Sequence, residues 1–173
     1  MRIFLIGFMG SGKTTFGKKL ASSLDWPFFD LDHQVEALVQ QSIPEYFAAH
    51  GEQAFRLLEK ETLQTFEYPE SCVVSCGGGT PCFFDNMDWM NAHGLTIYLD
   101  LPALSLAQRL EKGKHKRPLL KDLDEAGLIA FIETKLAERM PYYEKARMSI
   151  RGLDINAEDV KNKILQGSFD LHD

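Results

Sequence analysis

The sequence predicts an α/β fold of three layers, a parallel sheet held between helices on both faces. Two observations predict it. Five short apolar runs, at residues 2–6, 27–30, 72–75, 96–99 and 147–150, alternate with stretches of helical periodicity, and strands spaced by helices pair in parallel. The first run leads straight into Gly7-Phe8-Met9-Gly10-Ser11-Gly12-Lys13-Thr14, a loop with the spacing G-x-x-x-x-G-K-[ST] that joins a strand to a helix in such folds. With 173 residues, 45% of them apolar, the chain is expected to form one domain over 1–173.

Each element has its own signal. Ile3-Phe4-Leu5-Ile6 is apolar at every position, as a strand buried on both faces should be. Helical patterns begin at Lys13, His33, Ile43, Glu52, Phe83, Ala103, Glu125 and Ala157. Ser42-Ile43-Pro44-Glu45 is a capping box with proline in the first turn, a strong helix start. Two segments break the alternation: a helical insertion at about 31–66, and a Lys-rich stretch at about 111–124 that reads as a lid between two helices. The tail from Ser168 is expected to fray.

Bulk properties narrow the partners. A formal net charge of −6 argues against nucleic acid, whose phosphates require a basic face. No apolar run has the length of a membrane span. The first residues already form the strand that carries the glycine-rich loop, so no cleaved signal peptide is expected. Cys72, Cys76 and Cys82 are odd in number and lack metal-ligand spacing, which fits a reduced, cytoplasmic protein rather than a disulfide or zinc scaffold. No long apolar surface helix stands out, and a monomer is the default expectation.

The loop at residues 7–14 points to a nucleoside triphosphate. Its glycines let the backbone of Gly10, Ser11, Gly12, Lys13, Thr14 and Thr15 wrap phosphates at a helix N-terminus, Lys13 reaches the β/γ-phosphates, and Thr14 serves Mg²⁺. ATP and Mg²⁺ are therefore the expected cofactors. Asp30 and Asp32, at i and i+2, are expected to project the same way from an extended segment toward that site, one acid near Mg²⁺ and one near an acceptor hydroxyl. Asp100, ending the apolar run 96–99, is a rival metal acid; Asp30 is preferred because the pair also accounts for an acceptor. Ser75, at a strand end, is within the expected reach of a Mg²⁺-bound water.

Other residues suggest an anionic acceptor. Arg56 and Glu59 stand one helical turn apart, so Glu59 can orient the guanidinium for a bidentate grip on a carboxylate; a plain surface ion pair is the alternative. Gly77, Gly78 and Gly79 allow close approach of a ligand to the backbone. Arg117 in the lid can bring positive charge over the phosphates on closure. Arg139 lies near a helix end, where it can also complement the dipole. Arg109 can stack on a base or lie on a helix surface. A small-molecule kinase accounts for these features better than a nucleotide switch, which needs neither the acid pair nor the lid arginine.

Taken in order, residues 7–14, the Asp30-x-Asp32 pair, Ser42-Ile43-Pro44-Glu45-Tyr46-Phe47, Gly51-Glu52-x-x-Phe55-Arg56-x-x-Glu59, the triple glycine, Arg117-Pro118-Leu119-Leu120 and Arg139-x-Pro141-x-Tyr143 resemble the shikimate kinase family over nearly the whole chain. The resemblance implies a P-loop, nucleoside-kinase-like fold with a five-stranded parallel sheet, a substrate-binding helical insertion and a lid. It implies phosphoryl transfer from ATP to the 3-hydroxyl of shikimate, with gluconate or nucleoside monophosphate kinases as the alternatives. Carried over by position, it makes Asp32 the base, Arg56 and Arg139 the carboxylate grip, and Glu59 the residue that orients Arg56. Gly78 and Gly79 become substrate contacts, Thr14 and (through water) Asp30 the metal residues. Lys13 and Arg117 become the stabilisers of the transferring group, and Arg109 with residues after Ile150 the adenine border. Gln41, Cys76, the segment 144–147 and the Lys-rich lid depart from the usual family pattern.

Overall fold

In the computed structural model, which describes residues 1–113, 120–152 and 156–167, the middle layer consists of β1 (Arg2–Ile6), β2 (Phe28–Asp30), β3 (Cys72–Ser75), β4 (Leu95–Asp100) and β5 (Met148–Arg151). All pair in parallel, in the order β2-β3-β1-β4-β5, so β2 and β5 end the sheet. The register sets Leu5 opposite Ser75 and Asp30 opposite Ser75, which aligns the carboxyl ends of β1, β2 and β3. In parallel sheets ligands bind outside those ends.

Side chains alternate across the central strand. Phe4 and Ile6 join one core with Leu31, Val35, Phe55, Met90 and Tyr143; Ile3 and Leu5 join the other with Phe16, Leu20, Val73 and Ile97. Ile3, Phe4, Leu5 and Ile6 are fully buried, and each such side chain contributes about 1.5–3 kcal/mol of burial free energy. The helices α1 (Lys13–Leu24) and α7 (Ala157–Gln166) pack together on one face. On the other lie α2 (Leu31–Val39), α3 (Ile43–Thr65), α4 (Asn86–His93) and the end of α6 (Glu125–Tyr143). A third cluster, with Phe8, Leu106, Leu110, Leu120, Leu128 and Ile132, packs α5 (Ala103–Glu111) and α6 beneath the glycine-rich loop.

The strand bounds shift by no more than a residue, and two helix starts differ from the sequence reading, each for a local reason. α2 starts at Leu31 rather than His33, because Asp30 Oδ1 accepts the Asp32 amide and caps the helix. α4 starts at Asn86 rather than Phe83: a 3₁₀ turn over Thr80–Cys82 and Phe84 in left-handed backbone (φ 51°) come first. The starts read at Ile43 and Glu52 both exist, within one helix broken at Gly51, whose φ of 82° only glycine adopts without strain. The capping box at Ser42 and Glu45 forms with both of its hydrogen bonds. Residues 114–119, with Arg117, and the tail from Ser168 lie outside the described residues. No helix among the described residues is long and apolar enough to cross a membrane.

Gly94 has little room beside the end of α4. Its backbone is extended, but a Cβ there would overlap the Arg2 carbonyl at the start of β1. Gly94→Ala is expected to lower stability by about 1–3 kcal/mol through this overpacking, measured as a lower urea midpoint at unchanged slope.

Candidate active site

The loop after β1 wraps around its own lysine. Gly10 and Gly12 have φ of 79° and 93°, which turn the backbone into the N-terminus of α1. Lys13 is buried, and its Nζ donates to the carbonyls of Gly7 (2.8 Å) and Phe8 (2.9 Å). Burial lowers its pKa to about 8, against the pull of the Asp32 charge. The first-turn amides of α1 have no intrahelical acceptors and face the same space.

Next to it three oxygens converge. Thr14 Oγ1 donates to Asp30 Oδ2 (2.9 Å) and stands 3.5 Å from Ser75 Oγ. Asp30 thus uses one oxygen to cap α2 and the other to hold Thr14. The expectation of two acids on one extended segment needs correction. Asp30 ends β2, whereas Asp32 stands on the first helical turn, and the turn between them brings both carboxylates to the same cleft. Asp100 lies elsewhere, paired with Arg151 (3.0 Å) and accepting from Tyr98 (3.3 Å). Thr14, Asp30, Asp32, Ser75, Gly77 and Gly78 line one cavity of about 320 Å³ with the loop.

Asp32 is open to solvent along the cleft yet crowded by protein on its other sides. That enclosure, then the neighbouring carboxylates of Asp30 and Glu59, raises its pKa to about 6, with Lys13 opposing.

The glycine triplet is where the remaining charges meet. A Cβ on Gly77 would stand 3.0 Å from Glu59 Oε1 and 3.2 Å from Asp32 Oδ1. On Gly78 it would stand 3.2 Å from Arg139 Nη1, and on Gly79 only 2.5 Å from Arg56 Nη2. Arg56 Nη1 donates to the buried Glu59 at 2.9 Å, so the pair is no solvated surface bridge. The Arg56 guanidinium stacks on Phe83 (4.3 Å) and that of Arg139 on Phe8 (5.2 Å). Among the described residues, Arg56 Nε and Arg139 Nη1 are buried without hydrogen-bond partners, although Glu52 stands at ion-pair distance from Arg56 Nε, 3.6 Å. Arg139 lies one turn before the end of α6, with Nη1 against Gly78.

Arg109 lies on the other side of the loop, donating to the Ser11 carbonyl (3.2 Å). With Gly12, Thr15 and Gly152 it borders a second depression, where the loop following β5 meets α1. Three groups had no role in the sequence reading. Thr80 donates to Glu59 (2.6 Å), Asn86 donates to the Thr80 carbonyl (3.0 Å), and Tyr143 donates to the Gly78 carbonyl (2.6 Å). Only Tyr143 had a signal, its place in Arg139-x-Pro141-x-Tyr143. Cys72, Cys76 and Cys82 are free thiols, and burial pushes the pKa of each upward. Among the described residues no group of three or more His, Cys, Asp or Glu is arranged to hold a metal.

This arrangement has known counterparts. The family model for shikimate kinase matches residues 9–167. A shikimate kinase of Parabacteroides distasonis is 41% identical over 95% of this chain and 98% of its own. The crystal structure of shikimate kinase from Bacteroides thetaiotaomicron superposes with a TM-score of 0.85 at 38% identity, covering 96% of this chain and 98% of that one. Shikimate kinase from Acinetobacter baumannii, in complex with shikimate, superposes at 0.81 with 33% identity, covering 96% and 92%. With the matched segment running from the glycine-rich loop to the end of α7, the chain belongs to the shikimate kinase family.

Proposed function

We propose that the protein transfers the γ-phosphoryl group of ATP to the 3-hydroxyl of shikimate, giving shikimate 3-phosphate and ADP, on the route to chorismate and the aromatic amino acids. The observation that carries the acceptor is the pair of buried guanidinium donors without hydrogen-bond partners among the described residues, Arg56 Nε and Arg139 Nη1, beside the triple glycine and Asp32. Buried polar groups are rarely left open in this way, and an anionic ligand would supply the missing acceptors. A rigid ring with one carboxylate and vicinal hydroxyls meets them: carboxylate to the two arginines, hydroxyls to Asp32 and the backbone of Gly77, Gly78 and Gly79. The shikimate complex of the Acinetobacter relative supports this choice.

In this reading Asp32 accepts the proton of the 3-hydroxyl as that oxygen attacks the γ-phosphorus and the bond to the ADP oxygen breaks. A carboxylate with a pKa near 6 is a stronger base than an ordinary aspartate and is still ionised at neutral pH. Lys13, released from the Gly7 and Phe8 carbonyls, stabilises charge on the transferring group; Arg117, on the family motif alone, is assigned to help it. The hydroxyl–carboxylate–hydroxyl set of Thr14, Asp30 and Ser75 is a hard-oxygen donor set that suits Mg²⁺, with Asp30 acting through water. When bound, the ion would neutralise phosphate charge. Arg109 and the loop after β5 border the adenine. A cytoplasmic monomer is the form we assign to the enzyme.

Mg²⁺-dependent ADP release should rise sharply on adding shikimate; stimulation by gluconate or AMP instead would overturn the acceptor. Arg56→Ala should raise the shikimate KM by about 10²-fold or more, as loss of a buried charged contact does. Because the free Asp32 pKa is about 6, kcat/KM should fall with unit slope as pH drops below that value. The same shift has a stability consequence. The folded pKa lies above the unfolded 3.8, so the ionised Asp32 opposes folding, in full above pH 6 and progressively less toward 3.8. Asp32→Asn should therefore lose turnover, keep ATP binding, and melt higher than the parent at pH 8. The melting gain should shrink as the pH is lowered from about 6 toward 4.

A further inference from the structure

We propose that Thr80 is a positioning residue for acceptor binding: it fixes Glu59, which in turn aims Arg56. The inference rests on the reading that Arg56 takes the acceptor carboxylate. Thr80 Oγ1 donates to Glu59 Oε1 at 2.6 Å, leaving Oε2 to accept from Arg56 Nη1 at 2.9 Å. Thr80 is 0% exposed and Glu59 1%, so neither carboxylate oxygen can be satisfied by solvent. Thr80 is itself held at both ends of its peptide. Its amide donates to the Gly77 carbonyl (3.2 Å), and its carbonyl accepts from Asn86 Nδ2 (3.0 Å). Asn86 is fully buried, and its Oδ1 accepts from Gln64 Nε2 (3.3 Å). The line Gln64–Asn86–Thr80–Glu59–Arg56 starts and ends on α3 and passes through α4 and the turn after the triple glycine.

The hydroxyl matters because a carboxylate bonded to Arg56 alone is free to turn about its last bond. With Thr80 present, Glu59 offers one oxygen to Arg56, and the guanidinium donors Nη1 and Nη2 stand against Gly79. Without it, Oε1 has lost its donor and is best satisfied by turning to Arg56, which draws those donors off the ligand.

Thr80→Val removes the hydroxyl and keeps the shape; Thr80→Ser keeps the hydroxyl. Thr80→Val should raise the shikimate KM about tenfold while the ATP KM moves less than about twofold, and Thr80→Ser should stay within about twofold of the parent for both. A parental shikimate KM in Thr80→Val, equal damage in both variants, or an equal rise in both KM values overturns the proposal. Thr80→Ala is read the same way if Thr80→Val does not fold. If neither folds while Thr80→Ser does, the hydroxyl serves the fold alone and the proposal fails. Arg56→Ala run alongside separates the two levels. An unchanged shikimate KM there removes the carboxylate reading itself, whereas a raised KM with a normal Thr80→Val removes only the role of Thr80.

Discussion

Four charged side chains from three helices converge on one short segment after β3, and they can do so because that segment carries no side chains of its own. Asp32 arrives from α2, Arg56 and Glu59 from α3, and Arg139 from α6. Each stops where a Cβ of Gly77, Gly78 or Gly79 would begin, at 2.5 to 3.2 Å. Gly79 has φ −90°, a backbone that any residue adopts, so what the position requires is space rather than conformational freedom. Tyr143, stacked on Tyr98 and bonded to the Gly78 carbonyl, holds the segment from below. Removing that space would separate the acid from the arginines before any ligand arrived.

The convergence is electrostatically uphill. Lys13 is held toward its neutral form by burial, and Asp32 toward its neutral form by enclosure and by the carboxylates of Asp30 and Glu59. Two buried guanidinium donors have no hydrogen-bond partner among the described residues. These are costs a folded chain carries where a site is organised before its ligand binds, and the two apolar cores on either side of β1 offset them. The short bonds among Glu59, Arg56 and Thr80 do the opposite, because they join charges and dipoles that burial would otherwise penalise.

Much of this was legible in the sequence because it is written locally. The alternation of apolar runs gave the parallel sheet, and the capping box at Ser42 is read from four adjacent residues. The structure also lines one cavity with Asp30, Asp32, Gly77 and Gly78, and brings Asp32, Arg56, Glu59 and Arg139 against the triple glycine. What could not be read depends on contacts between distant segments. Thr80 follows the triple glycine as an ordinary residue, and only the fold places its hydroxyl on Glu59, twenty-one positions away. The helical setting of Asp32 was missed because the aspartate that caps α2 also ends β2, so period-two and helical patterns overlap on the same three residues. The start of α4 was missed because the 3₁₀ turn and the left-handed Phe84 carry no strong signal in residue type.

The strand order has a further consequence, for behaviour in a crowded solution. An all-parallel sheet has two ends, and unpaired strand edges are templates for aggregation. Here the most deeply buried strands, β1, β3 and β4, are all interior. The end at β2 is three residues long and follows Pro27, which has no amide hydrogen to offer another strand. The end at β5 is four residues long, with exposed Arg147 just before it and exposed Arg151 at its close. The segments richest in sticky backbone are thus sealed between short, guarded ones, and a second chain meets an edge that is brief at one side and charged at the other.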